Sequence, residues 1–409
     1  MAGITGLSPI NRYWDRILWK GRRVTLARGR PKSDRGPSSP VIVAGLYSTA
    51  SGVGETARSC ARALQDRGVE VLRCDLSALF GQAESTFRPS RTLSHPGQQC
   101  GTIILHVNAP ETELALFGMR AWRLQNWRII GYWAWELERL PDGWASAARY
   151  LSEIWTPSRF SAAAIQASVD VPVHTVPPAI QPPDPLPVRC RQLTEFEGLT
   201  CLVMADGRSS LERKNVIAAI RLFDRAFGAR TDVRLVVKTR NLDADPRKAR
   251  VIRKLCHAPN KLLIDEALSN DEKWALLNSA DILLSLHRSE GFGLSLAEAM
   301  ALGKAVIATR WSGNLDFMTR ANSVLVPARF IPVADPSGPY DGVLDARWAA
   351  PDLDSALKAL KWVAASPEAR QEIGNVARAT IRQRYDGGDF FNALTGPSRR
   401  ARASDTGQV

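Results

Sequence analysis

Hydrophobic residues in this chain fall into two alternating kinds of run. Short continuous ones, Val41-Ile42-Val43-Ala44, Thr102-Ile103-Ile104-Leu105, Leu235-Val236-Val237-Lys238, Ile282-Leu283-Leu284-Ser285-Leu286 and Ala305-Val306-Ile307-Ala308-Thr309, read as strands buried on both faces. Further strands are expected at 69–72, 127–133, within 153–158, and at 199–205, 262–265 and 325–327. Between strands, apolar residues recur near a 3.6 period: Val53, Ala57, Cys60, Ala61 and Leu64, then Val216, Ala219, Ile220, Phe223 and Phe227, then 294–302. Helices are also expected at 352–363 and 367–385, with an irregular Pro/Gly/Asp loop at 330–346. Strand–helix–strand alternation predicts an α/β fold with parallel, doubly wound sheets.

The alternation is interrupted once, by the proline-dense segment 177–187, which reads as a semi-rigid linker. It divides the chain into a first domain at 40–185 and a second beginning at 186. A length of 409 residues is enough for both.

Residues 1–39 are basic and are expected to be a partly flexible preamble, and 396–409 a disordered tail. The net charge is +13. Much of it sits at the ends, in Arg12, Arg16, Lys20, Arg22, Arg23, Arg28, Arg30, Lys32 and Arg35, and in Arg399, Arg400 and Arg402. Such ends are solvated tails or are attracted to an anionic membrane face, at roughly 1 kcal/mol per basic residue near the surface. Ile10, Tyr13, Trp14, Ile17, Leu18 and Trp19 among those charges keep an anionic membrane surface open as a partner. No helix-turn-helix, zinc or RNA-binding motif supports nucleic acid as a partner. The start is not that of a signal peptide, no run of about 18 apolar residues occurs, and the six cysteines form no CxxC pair. The expectation is a cytoplasmic protein with reduced, buried thiols, optionally peripheral on the cytoplasmic membrane face.

Candidate chemistry concentrates between the strand at 282–286 and the helix from 294. Gly291 and Gly293 make the strand-to-helix turn, and Gly303 stands at the helix stop. Glycines there admit a ligand close to the backbone, and the helix start offers free N–H groups and a positive dipole end. Glu290 stands in the loop and Glu298 about one turn into the helix. Carboxylates on both sides of an anion-friendly turn suit a ligand with hydroxyls at two places and phosphate between, the layout of a nucleotide sugar. Earlier, Arg213 and Lys214 open the helix whose apolar face starts at Val216. Adjacent cations at a helix start neutralise a diphosphate, arginine by two prongs and lysine as a point charge. Arg208 is a reserve candidate for that role.

The run Glu290-Gly291-Phe292-Gly293-Leu294-Ser295-Leu296-Ala297-Glu298, continued by Ala299-Met300-Ala301-Leu302-Gly303-Lys304, resembles the two-glutamate signature of the family 4 retaining glycosyltransferases of GT-B fold. Arg213 and Lys214 resemble the family's basic element, although Arg208 stands six rather than five residues before the lysine. The resemblance implies two facing Rossmann-like domains, the second (186–375) binding the donor, and a helix at 376–395 crossing back to the first. It implies transfer of a sugar from a UDP- or GDP-linked donor to a glycan or lipid-linked acceptor, as in polysaccharide or glycoconjugate synthesis. Configuration would be retained by same-face substitution, the diphosphate taking the acceptor's proton, with neither metal nor cofactor. In that scheme Glu298 accepts from the ribose hydroxyls. Glu290 and the N–H groups of Phe292, Gly293 and Leu294 hold the sugar and near phosphate, while Arg213 and Lys214 stabilise the leaving diphosphate.

The first domain contributes two further candidates. His106 ends the strand at 102–105, and a histidine of the first domain lies near the donor sugar in related enzymes. Gly52 and Gly54 lie in a long loop after the first strand, like the flexible phosphate-side loop of GT-B enzymes. With Ala57 and Asp75 they also spell a near-match to the dinucleotide fingerprint, which keeps an NAD-dependent oxidoreductase as a rival. The fingerprint's glycines directly follow the strand, whereas here 46–51 intervene. A non-catalytic protein binding sugar or a membrane surface is the other rival. Tyr132, Trp133, Trp135 and Trp144 are core residues or a sugar platform, and Glu136 and Glu138 are weaker acceptor-side candidates.

Overall fold

The structure is a computed structural model and describes residues 39–82, 100–119, 126–187, 190–193, 195–336 and 338–396. The basic residues of 1–38, with their interspersed aromatic residues, and the tail from 397 lie outside the described residues. The chain forms two compact units. One holds Trp135–Arg139 and Ile180–Asp386, the other the residues up to Ala134, Leu140–Ala179 and the residues from Gly387 on. They are called the C-terminal and N-terminal unit below.

The N-terminal unit is built on β1 (Val41–Gly45), α1 (Gly52–Gln65), β2 (Val71–Asp75), β3 (Thr102–His106), α2 (Ala109–Gly118), β4 (Arg128–Tyr132), β5 (Glu153–Thr156), α3 (Arg159–Gln166) and β6 (Val173–Thr175). Its six strands pair in parallel in the order β2-β1-β3-β4-β5-β6. Every residue of β1, β3 and β4 is buried, which is why these strands carry no polar alternation.

The C-terminal unit repeats the plan. Its elements are β7 (Leu199–Met204), α4 (Leu211–Lys214), α5 (Val216–Phe227), β8 (Val233–Thr239), α6 (Pro246–Leu255), β9 (Lys261–Asp265), α7 (Asn270–Ser279), β10 (Ile282–Ser285), α8 (Leu294–Ala301), β11 (Ala305–Thr309), β12 (Val324–Val326), β13 (Ala328–Pro332), β14 (Arg347–Pro351), α9 (Leu353–Ala365) and α10 (Pro367–Arg384). The parallel sheet runs β12-β11-β10-β7-β8-β9. Its side chains alternate between two cores. Leu202, Val236, Leu283 and Val306 pack with α7, α8 and α10, while Cys201, Val203, Leu235, Val237, Leu284 and Ile307 pack with α5, α6 and α9. That two-sided burial is what the continuous apolar runs encode.

Two parts depart from the sequence reading. The stretch expected to be an irregular loop, 330–346, is irregular in its described residues beyond Pro332, but it joins the two strands of an unexpected antiparallel hairpin, β13 against β14, pairing Ala328 with Pro351 through Pro332 with Arg347. The stretch expected to be one crossing helix is divided. α10 stays in the C-terminal unit, burying Ile373, Ala377 and Ile381. After Gly387, whose φ of +93° suits glycine, α11 (Gly388–Thr395) belongs to the N-terminal unit. There Phe390 packs in one core with Tyr132 and Trp155, and Arg128 Nη1 donates to Leu394 O at 2.9 Å.

Candidate functional site

The site is assembled where β7, β10 and β11 of the C-terminal unit run out. α4 is a single turn that carries the two cations. Its N-cap Ser210 has a φ of +68° and accepts from Arg213 N at 3.1 Å. Asn215, at φ +54°, ends the turn and donates from Nδ2 to Leu286 O at 2.9 Å. Arg288 N donates to Arg213 O at 2.7 Å. A one-turn helix has too few internal bonds to hold itself, so these ties to the loop after β10 fix it.

Glu290 is the centre. One carboxylate oxygen lies 2.5 Å from Lys214 Nζ, the other 3.2 Å from Arg213 Nη1. Glu290 is 6% exposed and Arg213 3%. Burial pushes the Glu290 pKa up, but Lys214 and Arg213 outweigh it and bring the value down to about 2. Burial likewise disfavours the charge on Arg213. The Tyr340 phenol and the carboxylates of Glu290 and Glu136 more than offset this, so its pKa lies above the ordinary arginine value. Arg213 also donates to Ser289 O at 2.7 Å and Ser209 Oγ at 3.1 Å. Its Nη2 stands 3.9 Å from Glu136, a residue of the Trp135–Arg139 segment in the same unit.

The turn after Glu290 is packed backbone on backbone. A Cβ on Gly313 would lie 2.3 Å from Gly291 O, and Gly313 N donates to Glu290 O at 2.9 Å. Glu290 N donates to Ser312 Oγ at 2.7 Å. Gly293, at φ +97°, begins α8, and no side chain caps that helix start. A helix start without a capping side chain keeps N–H groups for a ligand. One turn on, Glu298 is 5% exposed and lies 2.6 Å from Lys273 Nζ. Lys273 is set by α7, whose start carries a reciprocal capping box between Ser269 and Glu272.

His287 underlies the loop. Asn314 Nδ2 donates to Thr309 O at 3.1 Å, so its Oδ1 is the acceptor that faces His287 Nε2 at 3.3 Å. The imidazole therefore carries its proton on Nε2 and accepts at Nδ1 from Ser285 Oγ, 3.0 Å away. Burial lowers its pKa to about 4.

Thus Glu290, Arg213 and Lys214 meet, with Gly291, Phe292, Gly293, Leu294 and Glu298 on the adjoining turn and helix of one unit. Phe292 turns its ring into the core, 4.9 Å from Phe317, which leaves its backbone for the site. Arg208 stands apart in a single turn ahead of α4. It is exposed, and its guanidinium makes no ion pair or hydrogen bond among the described residues. Gly207 beside it packs so that a Cβ would meet Asn241 O at 2.0 Å.

In the N-terminal unit, His106 is 0% exposed, stacked on Tyr132 at 4.5 Å and 3.3 Å from Thr56 Oγ1, and burial lowers its pKa to about 3. Gly52 opens α1 and is exposed. Gly54 is buried where a Cβ would lie 2.5 Å from Leu46 O, so loop packing requires it whatever it binds. Asp75, needed by the dinucleotide reading, is occupied instead. It accepts from Tyr47 N at 3.2 Å, Ser77 N at 2.9 Å and Ser77 Oγ at 2.6 Å, and from Ser48 Oγ. Tyr132, Trp133, Trp135 and Trp144 are all buried, as core residues. The six cysteines form no disulfide; Cys100 alone among them is exposed. Among the described residues no group of three or more His, Cys, Asp or Glu side chains could hold a metal, and no helix is long and apolar enough to cross a membrane.

Sequence reasoning missed Ser210, Lys273, Asp335 and Tyr340. Ser210 has the local signal of a helix N-cap three residues before Arg213, whereas Lys273, Asp335 and Tyr340 enter through contacts tens of residues away.

Two Rossmann-like units with parallel sheets define an α/β fold of the GT-B glycosyltransferase type. Residues 207–329, which contain both cations and both glutamates, match the family described as Glycosyl transferases group 1. Among solved structures, sucrose-phosphate synthase from Thermosynechococcus elongatus is similar with a TM-score of 0.61 at 12% identity, over 88% of this chain and 97% of that one. Anabaena HepE, solved with UDP-glucose, is similar with a TM-score of 0.59 at 14% identity, over 87% and 97%. S. aureus TarM, solved with UDP and alpha-GlcNAc-glycerol, has a TM-score of 0.51 at 12% identity over 72% of this chain. The match spans only about half of TarM's length, 55%. No curated protein matches the chain in sequence.

Proposed function

We propose that this chain is a glycosyltransferase of the family 4 kind, moving a sugar from a nucleoside-diphosphate donor to a glycan or lipid-linked acceptor with retention of configuration. The observation that carries the reading is Glu290 lying between Arg213 and Lys214 at the foot of an uncapped helix. UDP accompanies two of the similar structures, HepE with UDP-glucose and TarM with UDP, which supports a UDP-linked donor.

The C-terminal unit would bind the donor. Glu298 accepts from the ribose hydroxyls. The N–H groups of 292–294 meet the phosphate, and Glu290 takes hydroxyls of the sugar. As the glycosidic bond breaks, negative charge grows on the leaving diphosphate, and the low-dielectric setting of Arg213 magnifies its stabilisation. The two cations do what a divalent metal would otherwise do, so no metal is needed. The same diphosphate oxygen accepts the acceptor's proton as the new bond forms on the face just vacated. Glu290 holds both cations, which keeps them aimed at one place.

Thermal shift against a panel of UDP- and GDP-linked sugars and NAD, followed by hydrolysis or transfer assays on the hits, tests the reading. It predicts protection by a nucleotide sugar and turnover that Glu290→Ala abolishes. Protection by NAD alone would overturn it.

A further inference from the structure

The hairpin that interrupts the parallel plan packs onto the machinery at two points. The ring of Tyr340, in the connection between β13 and β14, lies under the Arg213 guanidinium, 5.6 Å from its centroid to Cζ. Glu136, the second carboxylate near Arg213, lies 3.9 Å from Nη2 of the same guanidinium. Asp335, in the same connection, accepts from Ser210 Oγ at 2.8 Å. Ser210 is the strained cap of α4, so Asp335 grips the helix that carries both cations.

The strands themselves are fixed to the catalytic loop. Ala349 N donates to Arg288 O at 3.0 Å, Arg288 stacks over Trp348 at 5.6 Å, and Arg347 Nη2 lies 2.8 Å from Glu138 Oε1. Arg213 is thus bounded by Glu290 on one side, by the Tyr340 ring on another and by Glu136 at 3.9 Å. A guanidinium over an aromatic face is held in a plane without being neutralised, so it remains available to an anion.

We infer that the β13–β14 hairpin is a positioning element for the transfer reaction, with Tyr340 orienting the Arg213 guanidinium and Asp335 fixing the turn on which it rides. This rests on the proposed role of Arg213 at the leaving diphosphate. A bland alternative is that Tyr340 only fills a core with Trp135 and Trp348, at 5.3 and 6.0 Å. The two differ in whether loss of Tyr340 matters once Arg213 is gone.

The test is a double-mutant cycle in steady-state kinetics, using a nucleotide sugar that the wild-type protein turns over. Tyr340→Leu, which keeps apolar bulk, is expected to lower kcat about tenfold with little change in donor KM. Tyr340→Phe is expected to restore most of that loss. In the Arg213→Ala background, Tyr340→Leu should cost nothing further. Asp335→Ala, which leaves the aromatic cluster whole, should lower kcat and be equally silent beside Arg213→Ala, and it serves if the tyrosine variants do not fold. Equal losses in both backgrounds, or an unchanged kcat in a folded variant, would overturn the hairpin's role while leaving the function intact. A wild type that neither binds nor turns over any nucleotide sugar would overturn the reading of Arg213, and this inference with it.

Discussion

Lys214 Nζ stands 2.5 Å from Glu290 Oε1 across 76 positions of sequence, while Arg213 takes the other oxygen of the same carboxylate. One anion therefore restrains two adjacent cations. Removing it leaves like charges facing each other with little water to screen them. Glu290→Gln is expected to cost about 3–5 kcal/mol of stability, the range for breaking a buried ion pair. Lys214→Ala should cost less, because Arg213 remains on Glu290 and Lys214 is 17% exposed. Urea unfolding of the variants at neutral pH measures both. UDP should also raise the melting temperature of Glu290→Gln more than that of the wild type, since no carboxylate then competes for the cations.

The bend between the two glutamates depends on a backbone that only glycine adopts easily. Gly293 has a φ of +97°, and a Cβ there would stand 2.9 Å from Leu296 Cδ1. Gly293→Ala should destabilise by about 1–3 kcal/mol, the usual cost of such a conformation in a residue with a side chain. A denaturant midpoint unchanged from wild type would contradict this.

Acid should weaken the fold in two stages of the same sign. His287 and His106 have ordinary values of 6.5 but titrate near about 4 and about 3 when folded, through burial. Below 6.5 the unfolded chain therefore takes up protons that the folded one refuses. Their contribution is complete above 6.5 and falls by about 1.4 kcal/mol per pH unit for each histidine as pH drops toward the folded values. Glu290 follows, between 4.5 and about 2: its depressed value adds stability that is present above 4.5 and lost below. Urea midpoints from pH 7.5 to 4.5 should slope accordingly, and His287→Gln should remove part of the slope. A flat profile over that range would contradict the burial argument.

The parallel strands were mostly legible to within two or three residues, because burial on both faces leaves a continuous apolar run that little else mimics; β6, only partly buried, was not expected. β11 was expected at Ala305–Thr309 and is observed there. The strand expected at 69–72 lies instead at Val71–Asp75, with Arg73 exposed, where an edge position relaxes the demand for apolar residues. The hairpin was not legible. β13, Ala328–Pro332, is only partly buried and shows no strict alternation, and it ends on proline. The loop glutamate, the turn glycines and the paired cations could be picked out as candidates because each stands at a strand end or a helix start. Tyr340, Asp335 and Lys273 could not, since the sheet topology alone brings them to the site.

Lys273 offers an independent check on the ribose end. Its Nζ is 2.6 Å from Glu298 Oε1, and it holds that carboxylate from α7. If Glu298 receives the ribose hydroxyls, Lys273→Ala should raise donor KM about tenfold, the charge-assisted bond being worth roughly 1.5–3 kcal/mol, with kcat little changed. Ser269→Ala, which opens the capping box of the same helix, should cost about 1 kcal/mol of stability.

The most direct measurement is calorimetric titration of UDP and GDP into the wild type and into Arg213→Ala/Lys214→Ala. The account predicts saturable binding of one nucleoside diphosphate to the wild type, and loss of that binding when both cations are removed from a protein that still folds. Equal affinity in the two proteins, or no binding to the wild type, would contradict it.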